Sequence, residues 1–153
     1  MHDLSATQVS DAIGPAVAAL FFIVIMSLMK EPARRRYNAI LVAGASSAYM
    51  SGGFGVWELP YIALAGGVVA YAGLRSHRWI GLAWLMHAAW DVLHHLYGNP
   101  IWPFMPMSSF GCAIFDVVIA WWFLVGAPSP FVWIARRTKS TAGVRSAGDT
   151  GVP

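Results

Sequence analysis

The chain has 153 residues, of which 58% are hydrophobic and only 11% charged, with a net charge of +3. A soluble domain carries about 25% charged residues, so there is too little polar surface here for a water-soluble globule. The single cysteine, Cys112, excludes an internal disulfide, and the length fits one domain.

The first eleven residues carry Asp3 and Asp11 and no Lys or Arg, the reverse of a signal-peptide start. The apolar run that follows is therefore expected to stay as a membrane helix. A crossing needs about 20 largely apolar residues at 1.5 Å rise each. On that measure the sequence predicts an all-α transmembrane helical bundle of about five spans, near 12–29, 37–57, 59–74, 79–97 and 110–125. The fifth span ends near 125 or runs on to 134, where Pro128 and Pro130 would kink or stop it. Residues 1–137 form a single transmembrane domain in this reading, and 138–153, small, polar and Gly-rich, a disordered cytoplasmic tail.

The basic residues check this frame. Lys30 and Arg34–Arg36 follow the first span, Arg75 and Arg78 the third, and Arg136, Arg137, Lys139 and Arg145 the fifth. All fall on one side of a five-span arrangement. The positive-inside bias puts that side in the cytoplasm, the N-terminus outside and the C-terminus inside. The second and third spans carry small-residue stripes, Gly44, Ala48 and Gly52, then Gly66 and Ala70. Such stripes let helix backbones pack closely in lipid or wall a small cavity. The loop from Gly98 to Met107 holds three prolines among apolar residues. It is expected to lie on the outer membrane surface or to fold back as a cap.

The fourth span carries His87, Asp91, His94 and His95. At about 100° per residue, all four fall within one sector of roughly 100°. A carboxylate at the centre of a span costs about 2.5–3.5 kcal/mol to insert, so this face must turn into the bundle, a wet cavity or an oligomer interface. Asp91 and Asp116 both lie about 9 Å from the outer helix ends, so neighbouring antiparallel helices can bring them face to face. Glu58 sits at the outer turn near the level of His94 and His95. Imidazole and carboxylate together suit zinc, iron or manganese. The candidate ligands are therefore His87, Asp91, His94, His95, Asp116 and Glu58, with His87, Asp91 and Asp116 as the candidate catalytic groups. Each has a plainer alternative: a His87–Asp91 hydrogen bond, an interfacial histidine, a packing contact for Asp116, an exposed turn for Glu58. Cys112, one turn from Asp116, reads as packing.

The stretch His87-x3-Asp91-x2-His94-His95, then Tyr97-Gly-Asn-Pro-Ile-Trp-Pro-Phe-Met-Pro, then Ser109-Phe-Gly-Cys-x3-Asp116 resembles a family of small bacterial multi-pass membrane proteins classed only as a domain of unknown function. That resemblance implies a bacterial cytoplasmic (inner) membrane location and no particular activity. The histidine spacing is also similar to the boxes of membrane desaturases and hydroxylases, with Asp91 where a histidine would stand. Those enzymes carry several boxes on the cytosolic side, whereas this chain has one, on the outer half.

Three functions compete on these grounds. One is a metal-dependent membrane enzyme acting on a lipid-like or isoprenoid substrate. The second is an oligomeric proton or metal-ion transporter or channel subunit, and the third a non-catalytic structural subunit. The expected partners are membrane lipids, a lipid-like small molecule and a second copy of the chain in a homo-oligomer; no nucleic acid is expected. The inner parts of spans four and five hold no polar groups beyond Trp side chains, which argues for a one-sided pocket over a conduction path.

Overall fold

The computed structural model describes residues 9–49 and 53–132. They form five helices and no strand: α1 (Val9–Leu28), α2 (Ala33–Ala45), α3 (Gly55–Gly73), α4 (His77–Tyr97) and α5 (Ser108–Leu124). A further helical turn begins at Pro130, at the edge of the described residues. The proposed tail at 138–153 lies outside them.

Local chemistry sets the helix ends. Ser76 starts α4, its hydroxyl accepting the Arg78 backbone N–H. Helix α5 stops at Leu124 because Gly126 and Ala127 take φ of 93° and 51°, which no helix can continue. The Ala127 N–H then turns back to the Trp122 carbonyl at 2.8 Å. The fifth apolar segment therefore ends near 125, and the helix at 130 is a separate element.

The second apolar segment differs most from expectation. Helix α2 covers only 13 residues, Ala33–Ala45, about 20 Å of axis, and gives way to turns before Tyr49. Its end is rich in serine and glycine. Ser46 and Ser47 donate to the Val42 and Gly44 carbonyls, which competes with continued helix. Helix α3 is also irregular. A 3-10 turn at Gly55–Trp57 and one α turn at Glu58–Tyr61 lead into a π-helical stretch, Ile62–Val69, before α geometry returns at Ala70–Gly73.

Helix α5 lies between α1 and α4, and its contact with α4 is the most extensive in the fold; α2 and α3 pack on the other side of α4. Small residues allow the close approaches. A Cβ on Gly81 would stand 2.8 Å from Leu124 Cγ and 2.9 Å from the Ala120 carbonyl oxygen. The apolar core, including Ile80, Trp84, Ile119, Trp122 and Phe123, fills the end of the bundle that carries the basic turns. Those turns are tied together there: Arg35 Nε donates to the Leu74 carbonyl, and Glu31 meets Arg34 at 2.8 Å and His77 at 3.0 Å.

Among the described residues, two helical segments are long and apolar enough to cross a membrane, Asp11–Leu28 with mean hydropathy 2.1 and Gly55–Gly73 with 1.2; Ser108–Leu124 is apolar but shorter. Only 17% of the first segment and 28% of the second is buried. Large side chains such as Leu20, Phe21, Leu64 and Val68 stand more than half exposed.

Substitution at Gly81 tests the α4–α5 contact. Gly81→Ala is expected to lower stability by about 1–3 kcal/mol in detergent unfolding, since the Ala120 backbone cannot move aside. Gly14→Ala, with nothing within 4 Å, should instead stabilise α1 by up to about 1 kcal/mol. The turn cluster gives a pH dependence. Burial alone would raise the Glu31 carboxyl, but Arg34 and His77 together hold it below its ordinary value. Burial holds the His77 imidazole below its usual 6.5, outweighing the pull of Glu31. Both groups therefore bind protons more readily in the unfolded chain, so stability falls with acidification. The His77 contribution is lost below about 6.5 and the Glu31 contribution below about 4.5. The melting temperature should drop between pH 7 and pH 5, and His77→Gln should flatten that drop; an unchanged slope would remove His77 from the account.

Candidate metal centre

Helix α4 turns His87, Asp91, His94 and His95 inward, and all four are buried. The surrounding polar groups come from every neighbour. Ser46 and Tyr49 come from the end of α2 and the turns after it, Glu58 and Tyr61 from α3, and Ser108, Ser109 and Asp116 from α5. These gather at the end of the bundle away from the basic turns. The structure sorts the six candidate ligands into two groups and leaves one apart.

The first group is His87, Asp91 and Asp116, each at most 4% exposed. Each offers a ligand atom, and the three atoms lie within 4.8 Å of one another. His87 Nε2 stands 3.9 Å from Asp116 Oδ2, too far for a hydrogen bond. Asp91 Oδ1 accepts a 2.7 Å hydrogen bond from the Tyr49 hydroxyl. Asp91 and Asp116 are hydrogen-bonded to each other, and beyond that pairing their Oδ2 atoms meet no donor among the described residues. Buried carboxylate oxygens without donors are uncommon and call for a counter-charge or a shared proton.

His87 is tethered through one nitrogen: Nδ1 is hydrogen-bonded to the Tyr61 hydroxyl, 2.9 Å away, and Nε2 lies on the side of the two carboxylates. A neutral imidazole oriented through its other nitrogen is the usual form of a histidine ligand. One imidazole nitrogen and two carboxylate oxygens are a donor set that fits zinc, iron or manganese.

The second group is Glu58 and His94. Glu58 Oε1 accepts from the Phe54 N–H at 3.2 Å and lies 3.0 Å from His94 Nε2, while Oε2 accepts from Trp90 Nε1 at 2.9 Å. His94 Nδ1 lies 3.2 Å from the Asn99 carbonyl oxygen. The His94 ring is thus held between Glu58 on one side and the loop after α4 on the other. The ring is held in a slot, stacked on Tyr49 at 3.7 Å. A Cβ on Gly53 would come within 2.6 Å of its Cε1, and one on Gly98 within 2.8 Å of its Nδ1. Glu58 and His94 therefore hold α3, α4 and the following loop together rather than joining the His87 group. His95 is not among the three residues whose ligand atoms converge, and its ring lies 5.6 Å from that of Phe110.

The loop after α4 folds back as a cap. The Ile101 and Trp102 N–H groups donate to Ser109 and Ser108 at the start of α5. Ser109 also lies 3.0 Å from the Tyr49 hydroxyl, so the cap is linked to Asp91 through two side chains.

Sequence reasoning did not find Tyr49, Tyr61 or Ser46. Tyr61 reads as an interfacial aromatic and Tyr49 as part of an apolar span. The only available signal is a hydroxyl-bearing residue inside an apolar run, which is weak because a phenol is content at any membrane depth where it finds a partner.

A family described as a family of unknown function, DUF6010, matches residues 10–129. The chain belongs to that family. The DUF6010 match includes Ser46, Tyr49, Glu58, Tyr61 and all the residues of α4 and α5 described above, and it agrees with the resemblance drawn from His87 to Asp116. No curated protein and no solved structure matches the chain. The chemistry must therefore be argued from the site.

Glu58→Ala separates the two groups. It leaves the Phe54 and Trp90 N–H groups and the His94 ring without their partner and should destabilise the fold by about 3–5 kcal/mol in detergent unfolding. Folded Glu58→Ala should still bind metal as the parent does. Loss of metal at full stability would move Glu58 into the ligand set.

Proposed function

We propose that this DUF6010 protein is a multi-pass membrane protein, crossing the bilayer about five times with the basic turns in the cytoplasm. Its His87–Asp91–Asp116 group would bind one divalent transition metal and serve a membrane-embedded enzyme. The membrane reading is supported by the two long apolar helices and by their exposure: a helix with mean hydropathy 2.1 and 17% burial has most of its surface to hide from water. It is also supported by the basic turns meeting at one end. At 13 residues, α2 is too short to span a hydrocarbon core of about 30 Å alone, so the second crossing would be completed by the turns that carry Tyr49 toward the site.

The metal reading rests on one observation: His87, Asp91 and Asp116, all buried, bring one ligand atom each within 4.8 Å of one another, with no donor to the Oδ2 atoms from outside the acid pair among the described residues. A bound divalent ion would supply Lewis acidity at a substrate oxygen. The chain's own part is to hold the ligands and to exclude water. Tyr61 holds the His87 ring through Nδ1, Tyr49 orients Asp91, and the 98–107 loop covers the end of α5. Beneath the group, the core of Ile80, Trp84, Ile119 and Phe123 is apolar and closed. That arrangement favours a pocket reached from one side over a path for ions across the bundle.

Purified protein should contain close to one equivalent of zinc, iron or manganese by elemental analysis. His87→Ala and Asp116→Ala should lose it, and Tyr61→Phe should weaken affinity about 10–100-fold. Fully stable protein that holds no metal and takes up none of the three ions would sink the proposal.

A further inference from the structure

Between α3 and α4 lies an open cavity of about 650 Å³. That is within the range of about 300–1,000 Å³ typical of small-ligand sites. No charged side chain lines it. One end is framed by Trp57 and Tyr97, the other by Leu64 and Met86. The first pair are rings with polar tips, 69% and 63% exposed, of the kind that sits at a membrane surface. The second pair are aliphatic, roughly 10 Å further along α3 and 16 Å further along α4. The groove therefore runs from an amphipathic mouth to a hydrocarbon end.

Its wall is one ring thick on the side of the metal group. Tyr61 and Trp90 both line the groove and stack face to face, centroids 4.4 Å apart at 2°. The Tyr61 hydroxyl is the group that bonds His87 Nδ1, and the Trp90 indole bonds Glu58. A molecule in the groove would lie against the very ring that orients the metal ligand.

We infer that this groove takes a single hydrocarbon chain of an amphiphile from the bilayer, with its polar head at the Trp57–Tyr97 mouth and its tail toward Leu64 and Met86. The absence of charge along the lining, the mouth-to-tail gradient and the exposed apolar flanks, Leu64 at 52% and Leu93 at 39%, select hydrocarbon over a protein segment that needs polar partners. The inference rests on the membrane reading; it does not depend on the metal centre or on enzyme activity.

The test uses the full chain in phosphatidylcholine nanodiscs with palmitic acid carrying a mid-chain diazirine. Photolabelling mapped by peptide mass spectrometry should fall several-fold more on the peptides holding Leu64 and Leu93 than on residues 13–28 of α1, which expose apolar side chains without a groove. Ala89→Trp, which fills the cavity, should cut groove labelling several-fold while labelling of α1 and metal content stay unchanged. If that variant does not fold, Leu93→Trp serves the same purpose. Uniform labelling of α1 and the groove, or labelling indifferent to both variants, would overturn the inference. So would a dimer by light scattering that Ala89→Trp converts to monomer, since a second copy would then occupy the groove. Metal-free protein that still labels selectively would overturn the metal centre and leave the groove standing.

Discussion

Two carboxylates pressed together in an apolar interior repel one another unless a proton or a cation lies between them. The pairing of Asp91 with Asp116 is the constraint on which the rest of this bundle turns. It forces α4 and α5 to present these faces to each other, and that contact is the most extensive in the fold. It forces the neighbours to supply hydroxyls, Tyr49 to Asp91 and Tyr61 to His87, where hydrocarbon alone would be intolerable. It also explains why His87, so close to both acids, is tethered through its remote nitrogen. A proton shared by the acids, which are hydrogen-bonded to each other, would satisfy them, and so would a cation held between them and His87.

The bundle separates its two tasks by height. At the basic end, large aromatics and aliphatics close the interior, and the turns are cross-tied by Arg35, Glu31, Arg34 and His77. At the other end nearly every buried side chain is polar, and cohesion comes from hydrogen bonds. The Glu58–His94 pair supplies much of it, joining α3, α4 and the loop beyond. Both Glu58 oxygens have N–H donors from other segments, from Phe54 and Trp90, whereas the Oδ2 atoms of Asp91 and Asp116 have none from outside their own pair among the described residues.

Much of this was legible in the residues. The spacing of His87, Asp91, His94 and His95 predicts an inward face on α4, and all four are buried. Equal depth predicts that Asp116 meets Asp91, because rise per residue is fixed and neighbouring helices run antiparallel. Depth alone could not assign Glu58. It lies at the expected level, but whether a carboxylate serves a metal or an indole and a backbone amide depends on rotamers that spacing does not encode. The second segment misled because hydropathy averages over Ser46 and Ser47, while the hydroxyls act one by one on the backbone. The irregular winding of α3 has no signature in its composition, since Ile62–Val69 is as apolar as any ordinary span.

That winding carries a consequence for how the gene can change. A π-helical stretch holds one more residue per hydrogen-bonded ring than an α-helix does, so it behaves as an insertion absorbed without a loop. Removing a single residue from Ile62–Val69 would let the segment rewind as α-helix with the turns on either side facing nearly as they do now, whereas the same deletion in Ala70–Gly73 would rotate everything before it by about 100°. In the second case Tyr61 and Glu58 would swing together away from α4, detaching the His87 tether and the His94 anchor in one step. Loss of a residue is thus absorbed in one part of this apolar helix and disruptive in the next, a difference its bland composition does not reveal.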